Sequence, residues 1–248
     1  MKTPPLIYLE ELSLNAWPAQ QTLLYDGWVL RFAGGYTRRA NSVNPLYESS
    51  LPVDEKITAC EQLYHSQGLP AIFKLTPQSQ PSDLDESLAR HSYQVDASTS
   101  VQTLNLQAAQ LPASLPGFTC DETLTDDWFS TFCALSGTSE KHLVPMRQLL
   151  KLILPSHSFG LLQADGQPVA CGLSVQQEGF IGLYDIVVAK EQRRKGYGRR
   201  VMEGLLAHGQ RNGARTAYLQ VMLNNPPALR LYEGLGFKEV YKYWYRVK

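Results

Sequence analysis

The chain has 248 residues, of which 23 are Lys or Arg and 23 are Asp or Glu, so its formal net charge is zero. Balanced charge argues against nucleic acid or an acidic membrane surface as the main partner. Apolar residues make up 44% and charged residues 19%, which is typical of a globular protein. Residues 1–20 carry Glu10 and Glu11 and no long apolar run, so the sequence predicts neither a signal peptide nor a membrane anchor there.

The four cysteines are widely spaced and form no C-x-x-C pair; they are Cys60, Cys120, Cys133 and Cys171. This usage favours buried free thiols in a reducing cytoplasm. The five histidines lack the spacing of metal ligands, so we expect no metal site.

In the first part of the chain, short apolar runs alternate with helical patterns. The sequence predicts strands at 28–32 and 36–43 around a Gly34–Gly35 turn, a helix at 55–67, a strand at 71–75, a short helix at 84–90 and closing strands at 93–106. We interpret Arg31, Arg38 and Arg39 as solvated strand residues, with contact to an acidic acceptor as the alternative. Pro112 and Pro116 indicate a linker at 108–116.

The second part gives cleaner signals. Helices are predicted at 125–135 and 145–154, with a loop at 137–142 between them, followed by a meander of strands at 159–163, 168–175 and 180–188. Then come a basic glycine-containing segment at 192–198, a helix ending at Asn212–Gly213 and a strand at 216–221. Asn225 and Pro226 start a last helix, which ends at Gly236 before strand material at 237–247.

The two parts follow the same order of elements. Gly68 precedes Tyr93 by 25 positions and Gly213 precedes Phe237 by 24, and each glycine ends a helix before a strand and a short helix. We interpret this as a diverged internal repeat, with domains at 1–107 and 117–248. Two unrelated α/β pieces are the alternative.

The segment after the third meander strand has the chemistry of a phosphate site. Arg193, Arg194 and Lys195 precede Gly196 and Gly198, and a helix follows from Arg199. A helix N-terminus presents unpaired N–H groups and a partial positive charge, and glycine lets a diphosphate approach the backbone. The segment lacks the third glycine of a dinucleotide fingerprint and contains no P-loop motif. A basic turn that only starts a helix is the alternative.

Two motifs in this part resemble those of the GNAT superfamily of N-acetyltransferases, over roughly residues 117–248. The family's [Q/R]-x-x-G-x-[G/A] loop matches Arg193 to Gly198, and its N-x-x-A-x-x-x-Y segment matches Asn225 to Tyr232. The resemblance implies acetyl-CoA as cofactor without a metal, and acetyl transfer to a primary amine of a small molecule or peptide. It implies an α/β fold with a mixed, mostly antiparallel sheet flanked by helices, here duplicated.

The resemblance also assigns roles to residues. The strand at 186–188 would part from its parallel neighbour and bind the pantetheine arm, the loop amides would hold the diphosphate, and Tyr232 would act as general acid toward the thiolate. Val188 is our choice for the N–H that polarises the thioester carbonyl. The residues assigned to the cofactor are Ile186, Val187, Val188, Arg193, Arg194, Lys195, Gly196, Tyr197, Gly198, Arg199 and Asn225.

The general base departs from the family pattern, because Gln220 stands where some relatives have a glutamate. Asp185 is the next catalytic choice, and Glu140 and His142 are choices for contact with the acceptor; loss of the proton to water is the alternative. The first half has no G-x-G and carries Leu88 in the place of Tyr232, so we expect a degenerate domain that binds no acetyl-CoA. An acyl-CoA sensor, an enzyme for longer acyl chains and, less favoured, a nucleotide-dependent enzyme are the rival functions.

Overall fold

The computed structural model describes residues 4–248, and the chain divides into two compact units. The first unit takes the residues up to Ser100 together with Met222–Asn224 and Tyr241–Lys248. The second unit takes Val101–Val221 and Asn225–Val240. The units therefore do not follow chain order strictly, because the last strand is shared between them. The expected domain limits at 107 and 117 stay a prediction.

Within residues 4–248, the first unit contains three α-helices and a mixed sheet. Its elements are α1 (Leu6–Ala16), β1 (Gln21–Tyr25), β2 (Trp28–Phe32), β3 (Val43–Pro45), α2 (Val53–Ser66), β4 (Phe73–Leu75), α3 (Leu84–Arg90) and the first part of β5 (Gln94–Asn105). β1, β2 and β3 are antiparallel, β3 pairs with β4 in parallel, and β4 pairs antiparallel with β11 (Lys238–Val247).

The two faces of this sheet differ in polarity. One face is an apolar core in which Trp28, Leu30 and Phe73 pack with residues of α2 and α3. The opposite face holds buried charge, because the Lys74 ammonium binds the Glu10 carboxylate of α1. The Tyr241 hydroxyl donates to the same carboxylate at 2.7 Å, so this buried ion pair has a third partner.

The predicted strand at 36–43 is wrong for most of its length. The chain forms a short 3₁₀ turn at Arg38–Ala40. Val43, the last residue of the predicted strand, is the one that belongs to β3. The Asn41 side chain causes this, because its oxygen accepts from the amides of Ala33 and Gly35 while its nitrogen donates to two carbonyls. Arg31 is not solvated either: it is buried and its guanidinium donates to main-chain carbonyls, including that of Arg39 at 2.6 Å.

The second unit is built on a larger sheet. Its elements are β6 (Phe118–Asp121), α4 (Asp126–Ser136), α5 (Glu140–Lys151), β7 (Ser156–Ala164), β8 (Gln167–Gln177), β9 (Phe180–Val188), α6 (Tyr197–Arg211), β10 (Thr216–Met222) and α7 (Pro226–Gly234). β6, β7, β8 and β9 form an antiparallel meander, and β10 joins β9 in parallel.

Helices cover both faces of this sheet. Leu162 packs with Val201 of α6 on one face, while Phe159, three positions earlier in β7, contacts Trp128 of α4 on the other. Close approach of α6 requires small residues: a β-carbon on Gly172 would lie 3.1 Å from the Leu205 side chain.

The predicted loop at 137–142 is shorter than expected. Ser139 is the N-cap and α5 begins at Glu140, so Glu140 and His142 lie in its first turn. Pro145, the predicted start of the helix, lies inside it. Helices tolerate proline best in the first turn, where the missing N–H has no partner, and Pro145 stands just beyond it.

The duplicated α/β fold is confirmed. The order α2, β4, α3, β5 in the first half repeats as α6, β10, α7, β11 in the second. All four cysteines are free thiols. Over the described part of the chain, no helix is long and apolar enough to cross a membrane.

Candidate active site

β9 and β10 part in the middle of their length. Their parallel ladder runs from the pair Phe180–Thr216 to the pair Leu183–Leu219. β9 continues to Val188 and β10 to Met222, so the second halves of both strands lie beyond the ladder. The sequence-based expectation that residues 186–188 leave their parallel neighbour agrees with this geometry.

A β-bulge in β9 accompanies the parting. The register with β8 shifts between Cys171 and Leu173, and Asp185 takes a left-handed φ of 51°. Beyond the bulge, the Ala189 N–H donates to the Val169 carbonyl at 2.9 Å, which makes Val188 part of a non-hydrogen-bonded pair with β8. The N–H and C=O of Val188 therefore point away from β8, toward the side where β10 has departed.

The turn after β9 exposes main-chain amides. Gly196 is the N-cap of α6 with φ 85°, and no side chain caps the helix. The Arg193 N–H donates to Lys190 and the Arg200 N–H to Gly196. Among residues 4–248, the amides between these two, from Arg194 to Arg199, have no hydrogen-bond acceptor. A β-carbon on Gly196 would meet no atom within 4 Å, so this turn is open.

Three elements meet at the second glycine of the turn. A β-carbon on Gly198 would lie 3.3 Å from the Leu231 side chain of α7 and 3.5 Å from the Val188 side chain. The turn, the end of β9 and α7 are therefore adjacent. Ile186 directs its side chain into the core beside Gly172, so only its main chain is available to a ligand.

The basic side chains of the turn divide into two groups. Arg199 is held by Glu203 at 2.8 Å and by the Gly234 carbonyl at 3.1 Å, and Arg200 donates to the Pro116 carbonyl at 2.7 Å. Arg193 and Arg194 are exposed beside the open amides. The exposed pair is thus the better source of positive charge for a phosphate.

Tyr232 lies on α7 and is largely shielded from water. Its ring packs with Phe237, whose centroid is 6.1 Å away, and joins the apolar cluster that includes Ile186. Burial raises the pKa of Tyr232 to about 12, so its hydroxyl keeps its proton at physiological pH. Asn225 is the N-cap of α7, where its side-chain oxygen accepts from the Ala228 amide at 3.3 Å.

The residues considered for proton transfer and acceptor contact lie on β9 and in the first turn of α5. Burial raises the pKa of the Cys171 thiol, and the negative charge of Asp185 and then Cys133 of α4 raise it further. Asp185 itself lies at the β-bulge of β9, the strand that pairs with the Cys171 strand. Glu140 is exposed, and the His142 ring is 3.1 Å from the Ser139 hydroxyl.

Sequence reasoning missed a pair of tyrosines where the strands part. The Tyr184 hydroxyl donates to the Tyr218 hydroxyl at 3.0 Å, and both side chains are buried. Gly182 makes room for them, because a β-carbon there would lie 2.5 Å from the Tyr218 ring. The parallel register that sets Tyr218 opposite Gly182 is the signal that could have located the pair.

A mixed sheet whose parallel strands part in front of an open glycine turn defines an N-acetyltransferase type of fold. A family model described as "Probable histone acetyltransferase Rv0428c C-terminal" matches residues 5–246. The chain belongs to this family and thereby to the GNAT superfamily of N-acetyltransferases, which are acyltransferase enzymes.

Relatives agree with this assignment over the full length. A protein of Bacillus subtilis described as "Uncharacterized N-acetyltransferase YobR" is 30% identical over 243 residues, which is 97% of each chain. A GCN5-related N-acetyltransferase from Kribbella flavida has the same fold at 15% identity, with a TM-score of 0.72 over 100% of this chain and 96% of its own. A tandem GNAT protein from the clavulanic acid biosynthesis pathway also shares the fold, at 14% identity and a TM-score of 0.64 over 99% and 89% of the two chains.

Proposed function

We propose that the chain transfers an acetyl group from acetyl-CoA to a primary amine, by direct attack in a ternary complex in the second unit. The parting of β9 from β10 directly before a turn of unbonded amides is the observation that carries this proposal. Acetyl-CoA would supply an activated thioester, and the chain would supply orientation and hydrogen bonds.

The turn suits a diphosphate in its geometry and its charge. Successive amides at the start of α6 have no acceptor of their own within the described chain, and the positive end of the helix dipole lies behind them. The absence of a β-carbon at Gly196 lets an anion approach, and Arg193 and Arg194 add attraction that salt would screen.

The free edge of β9 suits the pantetheine arm. Val188 directs its N–H and C=O away from β8, so its N–H can donate to the thioester carbonyl as negative charge develops there. Holding thioester and amine side by side removes most of the entropic cost of the reaction, so positioning is expected to give the largest rate gain.

Tyr232 would donate a hydrogen bond to the departing thiolate. Because burial raises the pKa of Tyr232 to about 12, the phenol gives up its proton less readily than a thiol of ordinary pKa near 8.5. The hydroxyl therefore stabilises the thiolate and retains its own proton. This modifies the role of full general acid that the family resemblance implies.

The amine proton would leave through Asp185 or through water. Asp185 lies on the bulge that starts the parted segment. Glu140 and His142 at the start of α5 would contact the acceptor, and Gln220 cannot serve as a base because an amide has no useful basicity.

A screen of primary amines with acetyl-CoA and thiol detection tests this proposal. We expect thiol release that depends on the amine and is lost when Asp replaces Gly196. Tight acetyl-CoA binding without release for any amine would instead support an acyl-CoA sensor, the rival that Gln220 favours. Release with longer acyl-CoA and none with acetyl-CoA would correct the acyl group.

A further inference from the structure

The first unit has a loop at the place where the second unit has its open turn. Residues 46–52 follow β3 and precede α2, as the turn from 189 to 196 follows β9 and precedes α6. In the first unit an anion already occupies the loop amides. The Asp26 carboxylate accepts from the Ser50 amide at 3.0 Å and from the Leu51 amide at 2.9 Å.

Side chains complete the shell around this carboxylate. The hydroxyls of Ser49 and Ser50 donate to it at 2.9 and 2.7 Å, and the Lys56 ammonium at 3.0 Å. Lys56 lies in the first turn of α2, is fully buried, and stands 3.9 Å from the centre of the Trp28 ring. Hydrogen bonds from Leu51 and Ser50 hold the pKa of Asp26 far below its usual range.

The turn that carries Asp26 is pressed against the loop. Asp26 and Gly27 join β1 to β2 with φ of 42° and 80°, and a β-carbon on Gly27 would lie 2.1 Å from the Glu48 carbonyl oxygen. The matching hairpin of the second unit, Asp165 and Gly166, has φ of 52° and 71°. There a β-carbon on Gly166 would meet no atom within 4 Å. In the first unit the Asp–Gly turn therefore packs against the loop that precedes α2, whereas in the second unit the matching Asp–Gly turn has open space around it.

We propose that Asp26 is the built-in ligand of the first unit's anion cradle, where it takes the place of a cofactor diphosphate. The charges support this, because a carboxylate satisfies two loop amides, two hydroxyls and a buried lysine at once. The first unit therefore retains the anion cradle but binds no cofactor diphosphate there. Each chain accordingly binds one acetyl-CoA, in the second unit. The comparison with the second unit rests on the proposed function of its open turn, whereas the anion cradle of the first unit is supported by the Asp26 contacts alone.

Chemical rescue by inorganic pyrophosphate tests the proposal. Asp26→Gly removes the carboxylate at a φ that glycine prefers, and Asp165→Gly makes the same change in the matching turn. We expect a lower melting temperature for Asp26→Gly, because the buried Lys56 ammonium loses the carboxylate that balances its charge and keeps only neutral acceptors. Pyrophosphate should then raise the melting temperature of Asp26→Gly at least twice as far as that of Asp165→Gly. The excess should vanish when Lys56→Met is added.

Equal pyrophosphate effects on the two glycine variants would overturn the inference. If Asp26→Gly fails to fold, Asp26→Asn against Asp165→Asn makes the same comparison with the side-chain volume retained. Acetyl-CoA binding is measured on the same samples. Retained acetyl-CoA binding without rescue overturns the role of Asp26 alone, whereas a wild-type chain that does not bind acetyl-CoA overturns the proposed function.

Discussion

The loops before α2 and α6 start from the same design and end with opposite uses. Each follows a strand of a parallel pair, each opens onto a helix without a side-chain cap, and each lies in a unit with an Asp–Gly hairpin. In the first unit the Asp26 carboxylate accepts from the loop amides of Ser50 and Leu51. In the second unit the amides from Arg194 to Arg199 have no acceptor within the described chain. A helix start can accept an external ligand only where the chain itself leaves it open.

Putting a carboxylate into the open turn is the strongest way to break this contrast. Gly196→Asp adds backbone strain at φ 85° and a negative charge that competes with the diphosphate for the same amides. We expect acetyl-CoA affinity to fall at least about 100-fold, close to 2.7 kcal/mol. Calorimetry measures it.

Gly196→Asn is the matched control, because it keeps the strain and the side-chain size and lacks the charge. A loss of about tenfold is expected for Asn, since the strain amounts to roughly 1–2 kcal/mol. Unchanged affinity in the Asp variant would contradict the proposed cradle.

The next prediction compares Tyr232, the proposed hydrogen-bond donor to the thiolate, with Leu88, its counterpart in the first unit. Removing a hydrogen bond to a charged group costs about 1.5–3 kcal/mol, so Tyr232→Phe should lower kcat about 10- to 100-fold with acetyl-CoA affinity unchanged. Leu88→Met, which conserves volume in the first unit, should leave kcat as it is.

The pH dependence follows from the pKa of Tyr232 near 12. The hydroxyl keeps its proton well above its ordinary pKa of 10, so the ratio of wild-type to Tyr232→Phe kcat should stay constant from pH 6 to pH 10. A ratio that falls as pH rises toward 10 would mean that the phenol ionises there and would argue against the shielded position.

The two hairpin glycines test the contrast through stability and leave the proposed site untouched. Gly166→Ala should cost about 1 kcal/mol in the free energy of unfolding, from its left-handed φ alone. Gly27→Ala should cost about 3 kcal/mol, because its β-carbon also meets the Glu48 carbonyl oxygen. Urea unfolding of both variants measures the difference, and equal costs would mean that the first hairpin does not press on its loop.

Much of the second unit could be predicted from sequence. The spacing of apolar residues changes from that of strands to that of a helix at α6, and Asn225 and Pro226 mark the start of α7. The start of α5 was misplaced because proline is commonest in the first turn and Pro145 lies deeper. In the first unit, α1 and β1 were missed, since α1 has no capping side chain and no charged residue in its first turn.

The candidate site was predicted as far as it depends on local motifs. Gly196, Gly198 and Asn225 stand at helix starts, which their spacing already indicates. The hydroxyl pair of Tyr184 and Tyr218 and the Asp26 carboxylate depend on contacts between residues 23 or more positions apart, which no local pattern encodes.

Amide hydrogen exchange with and without acetyl-CoA tests the central claim most directly. Bound acetyl-CoA should slow exchange at the amides from Arg194 to Arg199 and at Val188, and should leave Ser50 and Leu51 unchanged. Protection at Ser50 and Leu51, or none between Arg194 and Arg199 at saturating acetyl-CoA, would contradict the account.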